Sequence, residues 1–153
     1  MAGFEIVESI EIASPPEPVW RYRLDYTTLP DYNPYVSALE RVDDEEALGV
    51  GARYRFQVDM EPRPVEVLLT VREAAPYSRI VNDVDASDGT AAREVVTLVA
   101  TEQGTRLEIT STSQLPDGVD NETRDAVMDG SRALLQLELD NIKRAVEGNA
   151  RNE

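Results

Sequence analysis

From Phe4 to Ala13 the apolar side chains Phe4, Ile6, Ile10 and Ile12 take even positions, with Glu5, Ser9 and Glu11 between them. A period of two marks a strand with one buried face. Ser14-Pro15-Pro16-Glu17 follows with the spacing of a capping box: a serine oxygen for the third helical amide, a glutamate reaching back, and prolines where no amide partner is needed. The helix that opens here carries Val19, Trp20, Tyr22, Arg23 and Tyr26. It is expected to fail by Leu29-Pro30, because the residue before a proline is pushed out of the helical region. A second short helix or turn covers Asp31-Tyr32-Asn33 up to Pro34-Tyr35.

Strands separated by turn chemistry come next. Val36 to Val42 is followed by the acidic run Asp43 to Glu46 and by Gly49-Val50-Gly51, a turn whose backbone can approach closely. Ala52, Tyr54, Phe56 and Val58 alternate with Arg53, Arg55 and Gln57, and Val65, Val67, Leu69 and Val71 continue the period after the proline-containing loop Met60 to Pro64. Arg79 to Val84, Val95 to Ala100 and Arg106 to Ser113 complete the set, the last two joined by the hairpin signal Glu102-Gln103-Gly104-Thr105. Asp120 is placed to cap a final helix running to about Glu147, with Gly148 past its end. On that helix Met128, Ser131, Leu135, Leu139, Ile142 and Val146 fall within about 40° of one line. The stripe is bulky and aliphatic toward its carboxyl end and smaller or more polar toward its amino end, where Arg124, Ser131 and Arg132 stand near Gly130. An antiparallel sheet curled around one long helix, an α+β arrangement, accounts for this order. Residues 1–148 read as one domain and residues 149–153 as a frayed tail.

Composition narrows the chemistry. The 153 residues include no cysteine and no histidine, which removes disulfides, thiolate or imidazole metal ligands, a cysteine nucleophile and the commonest general base. No cofactor or metal site is expected: the run Asp43 to Glu46 lacks the glycine and ligand spacing of a calcium loop, and Gly49-Val50-Gly51 precedes a strand instead of a helix. With 15 Lys+Arg against 30 Asp+Glu the net charge is −15. That sign disfavours nucleic acid and anionic membrane surfaces. The amino terminus has no basic segment before an apolar core, and no apolar run is long enough to span a bilayer, so the expected location is the cytoplasm.

The segments Ser14-Pro15-Pro16-Glu17-Pro18-Val19-Trp20, Leu29 to Val36 and Gly49-Val50-Gly51, in this element order, resemble the START-like (SRPBCC) superfamily. The resemblance is greatest to proteins described as polyketide cyclase/dehydrase or lipid-transport-like, related in fold to the birch pollen allergen. It implies a helix-grip fold, a seven-stranded antiparallel sheet wrapped on the carboxyl-terminal helix with two short helices after the first strand. It also implies a cavity for a small apolar or aromatic molecule. Any mechanism in the family that needs a histidine cannot carry over.

The contrast along the last helix places that cavity against its amino-terminal half, bordered by Met128, Ser131, Tyr54, Phe56, Asn82 and Ser111, with Ile109, Leu135 and the entrance residues Tyr32 and Tyr35 completing the candidate ligand-binding set. Each has a plainer reading. The aromatics can simply seat the short helices on the sheet, Asn82 and Ser111 can bond backbone or water, and Ser131 can bond the preceding helical turn. Ligand binding is the leading function, and a cyclase/dehydratase acting on such a ligand in the same cavity is the alternative. An enzyme without histidine needs a carboxylate, lysine or tyrosine near neutrality; Glu8 and the entrance tyrosines are the candidates, because no other acid interrupts the inward faces. An interaction module is a third class, for which Leu137 on the far side of the helix speaks.

Overall fold

The chain, a computed structural model describing residues 3–43, 49–59 and 63–151, alternates short helical turns and strands before one long helix. In order these are β1 (Gly3–Ile12), α1 (Pro16–Leu24), a 3-10 turn (Tyr26–Thr28), α2 (Leu29–Tyr32), β2 (Val36–Arg41), β3 (Arg53–Val58), β4 (Val65–Ala75), β5 (Arg79–Ala86), β6 (Ala91–Thr101), β7 (Gly104–Gln114) and α3 (Asn121–Arg151). The strands form one antiparallel seven-stranded sheet in the order β1-β7-β6-β5-β4-β3-β2. This is the helix-grip arrangement: α3 lies along β1 with α1 and α2 packed beside it.

The alternation sets the inner face. Ile6 and Ile12, Tyr54 and Phe56, Val67, Leu69 and Val71, Ile80 and Asn82, Val96 and Leu98, and Leu107 and Ile109 are all buried. Register then lays side chains in rows across the sheet, and one row is polar: Asn82 pairs with Glu94, Glu94 with Ser111, and Ser111 with Ile6. Irregularities between Val71 and Glu73 in β4, and between Ser37 and Glu40 in β2, where Ala38 takes a positive φ of 54°, bend the sheet. At the β6–β7 turn Gly104 has φ 145°, and a Cβ there would collide with the Ile12 carbonyl. Gly49 and Gly51 serve a different need from the close approach expected of them. Their φ values are 120° and 94°, but a Cβ at either would meet nothing within 4 Å, so the turn requires the backbone angle alone.

The helical segments depart from expectation in three places. No capping box forms: Pro15 is the N-cap of α1 without a side-chain cap bond, and the Ser14 hydroxyl donates to the Pro15 carbonyl at 3.2 Å. The helix expected to reach Leu29-Pro30 stops at Leu24, because Asp25 is extended and its carboxylate accepts from the Thr27 amide at 3.1 Å, starting a new turn. Pro30 then lies in the first turn of α2, where its missing amide costs nothing. At the far end α3 continues through Gly148 to Arg151, since Gly148 keeps an ordinary helical φ. Its amino end is capped as expected, the Asp120 carboxylate accepting from the Thr123 amide at 2.7 Å. Of the acidic run, Asp43 accepts from Arg41 Nε at 2.8 Å and from the Arg53 amide at 2.7 Å. Residues 44–48, part of the loop 60–64 and the last two positions of the expected tail lie outside the described residues. No helix among the described residues is long and apolar enough to cross a membrane.

Candidate ligand-binding site

The two halves of α3 pack differently. Leu135, Leu139, Ile142 and Val146 are buried, whereas Met128 and Ser131 are only half-buried. Beside the open half runs a groove of about 1220 Å³. Its helix wall carries Ala126, Gly130, Ala133, Leu134 and Leu137, spaced by threes and fours along one side, and its opposite wall carries Tyr35, Asp59 and Pro64. Tyr35 is fixed at the rim through its backbone: its amide donates to Asn33 Oδ1 at 3.0 Å, and its carbonyl accepts from the Asp59 amide at 2.8 Å. Tyr35 is 47% exposed.

A second, smaller space of about 150 Å³ lies between α1, α2, the sheet and α3, lined by Arg23, Tyr26, Asn33, Phe56, Glu94 and Glu138 among others. Arg23 is 3% exposed, and its guanidinium stands 5.0 Å from the centre of the Tyr26 ring and 5.8 Å from that of Tyr32. Its Nη2 is 3.7 Å from Glu94, but Nε and Nη1 have no acceptor among the described residues. Asn33 Nδ2 donates to Glu138 at 3.5 Å. The Asn82 side-chain amide donates to the Tyr26 hydroxyl, and Asn82 Oδ1 and the hydroxyls of Tyr32 and Tyr54 are buried with no hydrogen-bond partner among the described residues. Asn33 and Glu138 line the second space, while their chain neighbours Tyr35, Leu134 and Leu137 line the groove.

Burial dominates the proton affinities here. Glu138 is half-buried as a residue, but its carboxyl sits deep; desolvation, reinforced by the Glu94 charge and only partly opposed by Arg23 and Asn33, raises its pKa to about 8. Desolvation also pushes Tyr26 up to about 12 and raises Tyr32 and Tyr54. Burial works against the charge of Arg23, yet Tyr26, Tyr32, Glu94 and Glu138 outweigh it and hold the guanidinium firmly protonated.

The structure distributes the sequence-derived candidates over three settings. Tyr35 and Ser131 line the groove, and Phe56 lines the inner cavity. Tyr32, Tyr54 and Asn82 are buried around the polar cluster, with the Tyr54 ring 5.3 Å from that of Tyr26. Ile109 and Leu135 are core residues, Met128 packs half-buried against the core, and Ser111 sits half-buried in the polar row. The six residues expected around one cavity therefore do not meet at one. The groove opens along the side of α3 away from the apolar stripe, and the residues of the strand faces reach only the inner space. Trp20 packs edge-on against Tyr77 and donates to the Arg79 carbonyl at 3.4 Å, seating α1 on the β4–β5 turn.

Glu8 is not a buried acid. Its carboxylate lies 3.4 Å from Arg132 Nε and borders neither space. The acids that face the interior are Glu94 and Glu138, and with Arg23 they are the residues that pattern reading missed. The signals were present: Glu94 continues the even-numbered inward series of Val96 and Leu98, Glu138 is three residues after Leu135 and four before Ile142, and Arg23 is four after Val19. Leu137, expected on an outer face, is half-buried in the groove wall. No group of residues able to hold a metal ion occurs among the described residues.

A curled antiparallel sheet gripping a long helix, with an apolar groove beside that helix and a smaller space of mixed polar and apolar lining between helix and sheet, defines a protein of the helix-grip class. The chain belongs to the polyketide cyclase / dehydrase and lipid transport family, which it matches over residues 3–147. Similar solved structures include the Zhui aromatase/cyclase from a Streptomyces species, with a TM-score of 0.80 and 14% identity over 95% of this chain and 94% of that one. Another is TTHA0849 from Thermus thermophilus, with a TM-score of 0.76 and 22% identity over 95% and 98% of the two chains. A third, Ara h 8.0201, has a TM-score of 0.68 and 14% identity over 95% and 98%. At these identities the likeness is one of fold. Among curated proteins no sequence matches this chain.

Proposed function

We propose that the protein binds a small molecule with an apolar or aromatic body between the amino-terminal half of α3 and the end of the sheet. The observation that carries this reading is the groove itself: about 1220 Å³, with a largely apolar helix wall facing Tyr35 and Pro64. Small-molecule sites combine apolar walls with a few orienting polar groups. Here Asp59, Arg63 and Ser131 at the groove and the cluster beneath it supply them. Of the sequence-derived candidates, Tyr35 and Ser131 contact the ligand in this reading, Phe56 borders its inner end, and Tyr32, Tyr54 and Asn82 stand behind. The test is a thermal-shift screen of apolar and aromatic compounds. A ligand at ~100 times its Kd adds roughly 2.7 kcal/mol, and Leu134→Asp or Leu137→Asp abolishes the shift without unfolding the protein. A screen in which no such compound stabilises the fold overturns the reading.

A second reading, catalysis of the cyclase/dehydratase type on the bound molecule, is favoured by Glu138. A carboxyl with a pKa of about 8 can give and take a proton near neutral pH without histidine. The name of the Streptomyces neighbour, an aromatase/cyclase, accords with it. Turnover of a binding compound that is lost in Glu138→Gln, with binding intact, selects this reading over simple carriage.

A further inference from the structure

Arg23 is 3% exposed and lines the inner cavity, yet two of its donor nitrogens, Nε and Nη1, have no acceptor among the described residues. A guanidinium is always charged and offers its donors in a fixed plane, so leaving two unmet in the interior is costly unless something in the cavity accepts from them. The Tyr32 hydroxyl close by is likewise unpartnered. The space is about 150 Å³, on the order of the room that takes a single aromatic ring. Phe56, Val67, Leu69 and Val84 give it apolar walls to receive the flat faces of a ring.

Charge decides which oxygen suits it. Arg23 is balanced by Glu94 at 3.7 Å, and Glu138 is mostly protonated at neutral pH, so the set is close to electrically neutral. A carboxylate ligand adds an uncompensated negative charge beside two acids that line the same space. A neutral carbonyl or phenolic oxygen accepts the same hydrogen bonds without that cost.

We infer that Arg23 is a specificity-determining residue that donates to a neutral oxygen acceptor carried on a single aromatic ring in the inner cavity. This deepens the proposed function and rests on it. The two fail separately, because the groove reading is tested by larger apolar compounds and Leu134→Asp, and the Arg23 site by small ring probes.

The experiment compares acetophenone with α-methylstyrene, which has nearly the same size with =CH2 in place of the oxygen, and with benzoate, by calorimetry on the full chain. Acetophenone is expected to bind at least tenfold more tightly than either, and Arg23→Met is expected to reduce its advantage over α-methylstyrene to less than twofold. Equal affinities in the wild type, tighter binding of benzoate, no binding of the small probes, or a preference that survives Arg23→Met overturns the inference. Should Arg23→Met not fold, the wild-type Arg23 Nε–H resonance decides the matter. It shifts on adding acetophenone and not on adding α-methylstyrene, and a resonance unmoved by acetophenone overturns the assignment.

Discussion

Asp83 and Glu138 are both carboxylates in the company of arginine, and their proton affinities move in opposite directions. Asp83, on the outer face of β5, accepts from Arg93 Nε at 2.8 Å and from Arg72 Nε at 2.9 Å. Its pKa falls, chiefly through the bond from Arg93. Glu138 faces the interior, with one 3.5 Å bond from Asn33, and its pKa climbs to about 8 because desolvation comes first and the Glu94 charge second. Proximity to an arginine therefore does not determine whether an acid is ionised. Direct bonds to the charged form lower the pKa outside, and lost hydration beside a second acid raises it inside.

The sharpest way to break this contrast is Glu138→Gln. Because the folded pKa of Glu138 lies above the unfolded value of about 4.3, its favourable contribution is complete below that value and is lost as pH rises through about 8. Wild type and variant should therefore have similar stabilities near pH 4.5, and the variant should be the more stable at pH 9 by up to about 5 kcal/mol. Urea denaturation at the two pH values measures the difference, and a gap that does not change with pH contradicts the account. Glu94→Gln is the next largest. Removing the like charge should lower the Glu138 pKa, seen as an earlier midpoint in a carboxyl NMR titration; a later midpoint would show that Glu94 acts mainly by holding Arg23 away. Smallest is Asp83→Asn, expected to cost less than about 1 kcal/mol. With its folded pKa depressed, that cost exists above the ordinary aspartate value of about 3.9, disappears as pH falls through the folded value, and shrinks in 1 M salt.

The strands were legible because one face of the sheet is buried and the other wet, so Tyr54 and Phe56 alternate with Arg53 and Arg55 as the fold requires. The outward arginines pair locally, Arg55 with Glu66 at 3.1 Å and Arg72 with Asp83 at 2.9 Å. The long helix and its cap at Asp120 were legible for the same reason of period and chemistry. The interior acids were not. Reading β6 from Val95 misses Glu94 by one residue, and Glu138 lies at the edge of the apolar stripe, where a charged side chain normally reaches water. Arg23 occupies a core position in a helix of 9 residues, too short for its pattern to distinguish a buried arginine from a solvated one. Where the space lies was also hidden, since it depends on how far the sheet curls away from α3, and the register shifts that bend β2 and β4 leave no mark in a polar–apolar pattern.

The pairing of β1 with β7 has a consequence for how the molecule is made. Ile6 meets Ser111 and Ile10 meets Leu107, so the first strand to emerge in synthesis finds its partner only after the five other strands have formed their own hairpins. At about 5–20 residues per second, roughly 100 intervening residues take on the order of 5–20 s to appear. For that interval Phe4, Ile6, Ile10 and Ile12 have no sheet edge to join. The Glu5, Ser9 and Glu11 side chains that alternate with them keep the waiting strand soluble and discourage it from pairing with another nascent chain. Closing so long a loop also makes β1 docking the late step of folding. The wall along which α3 lies is therefore the last part of the sheet to form.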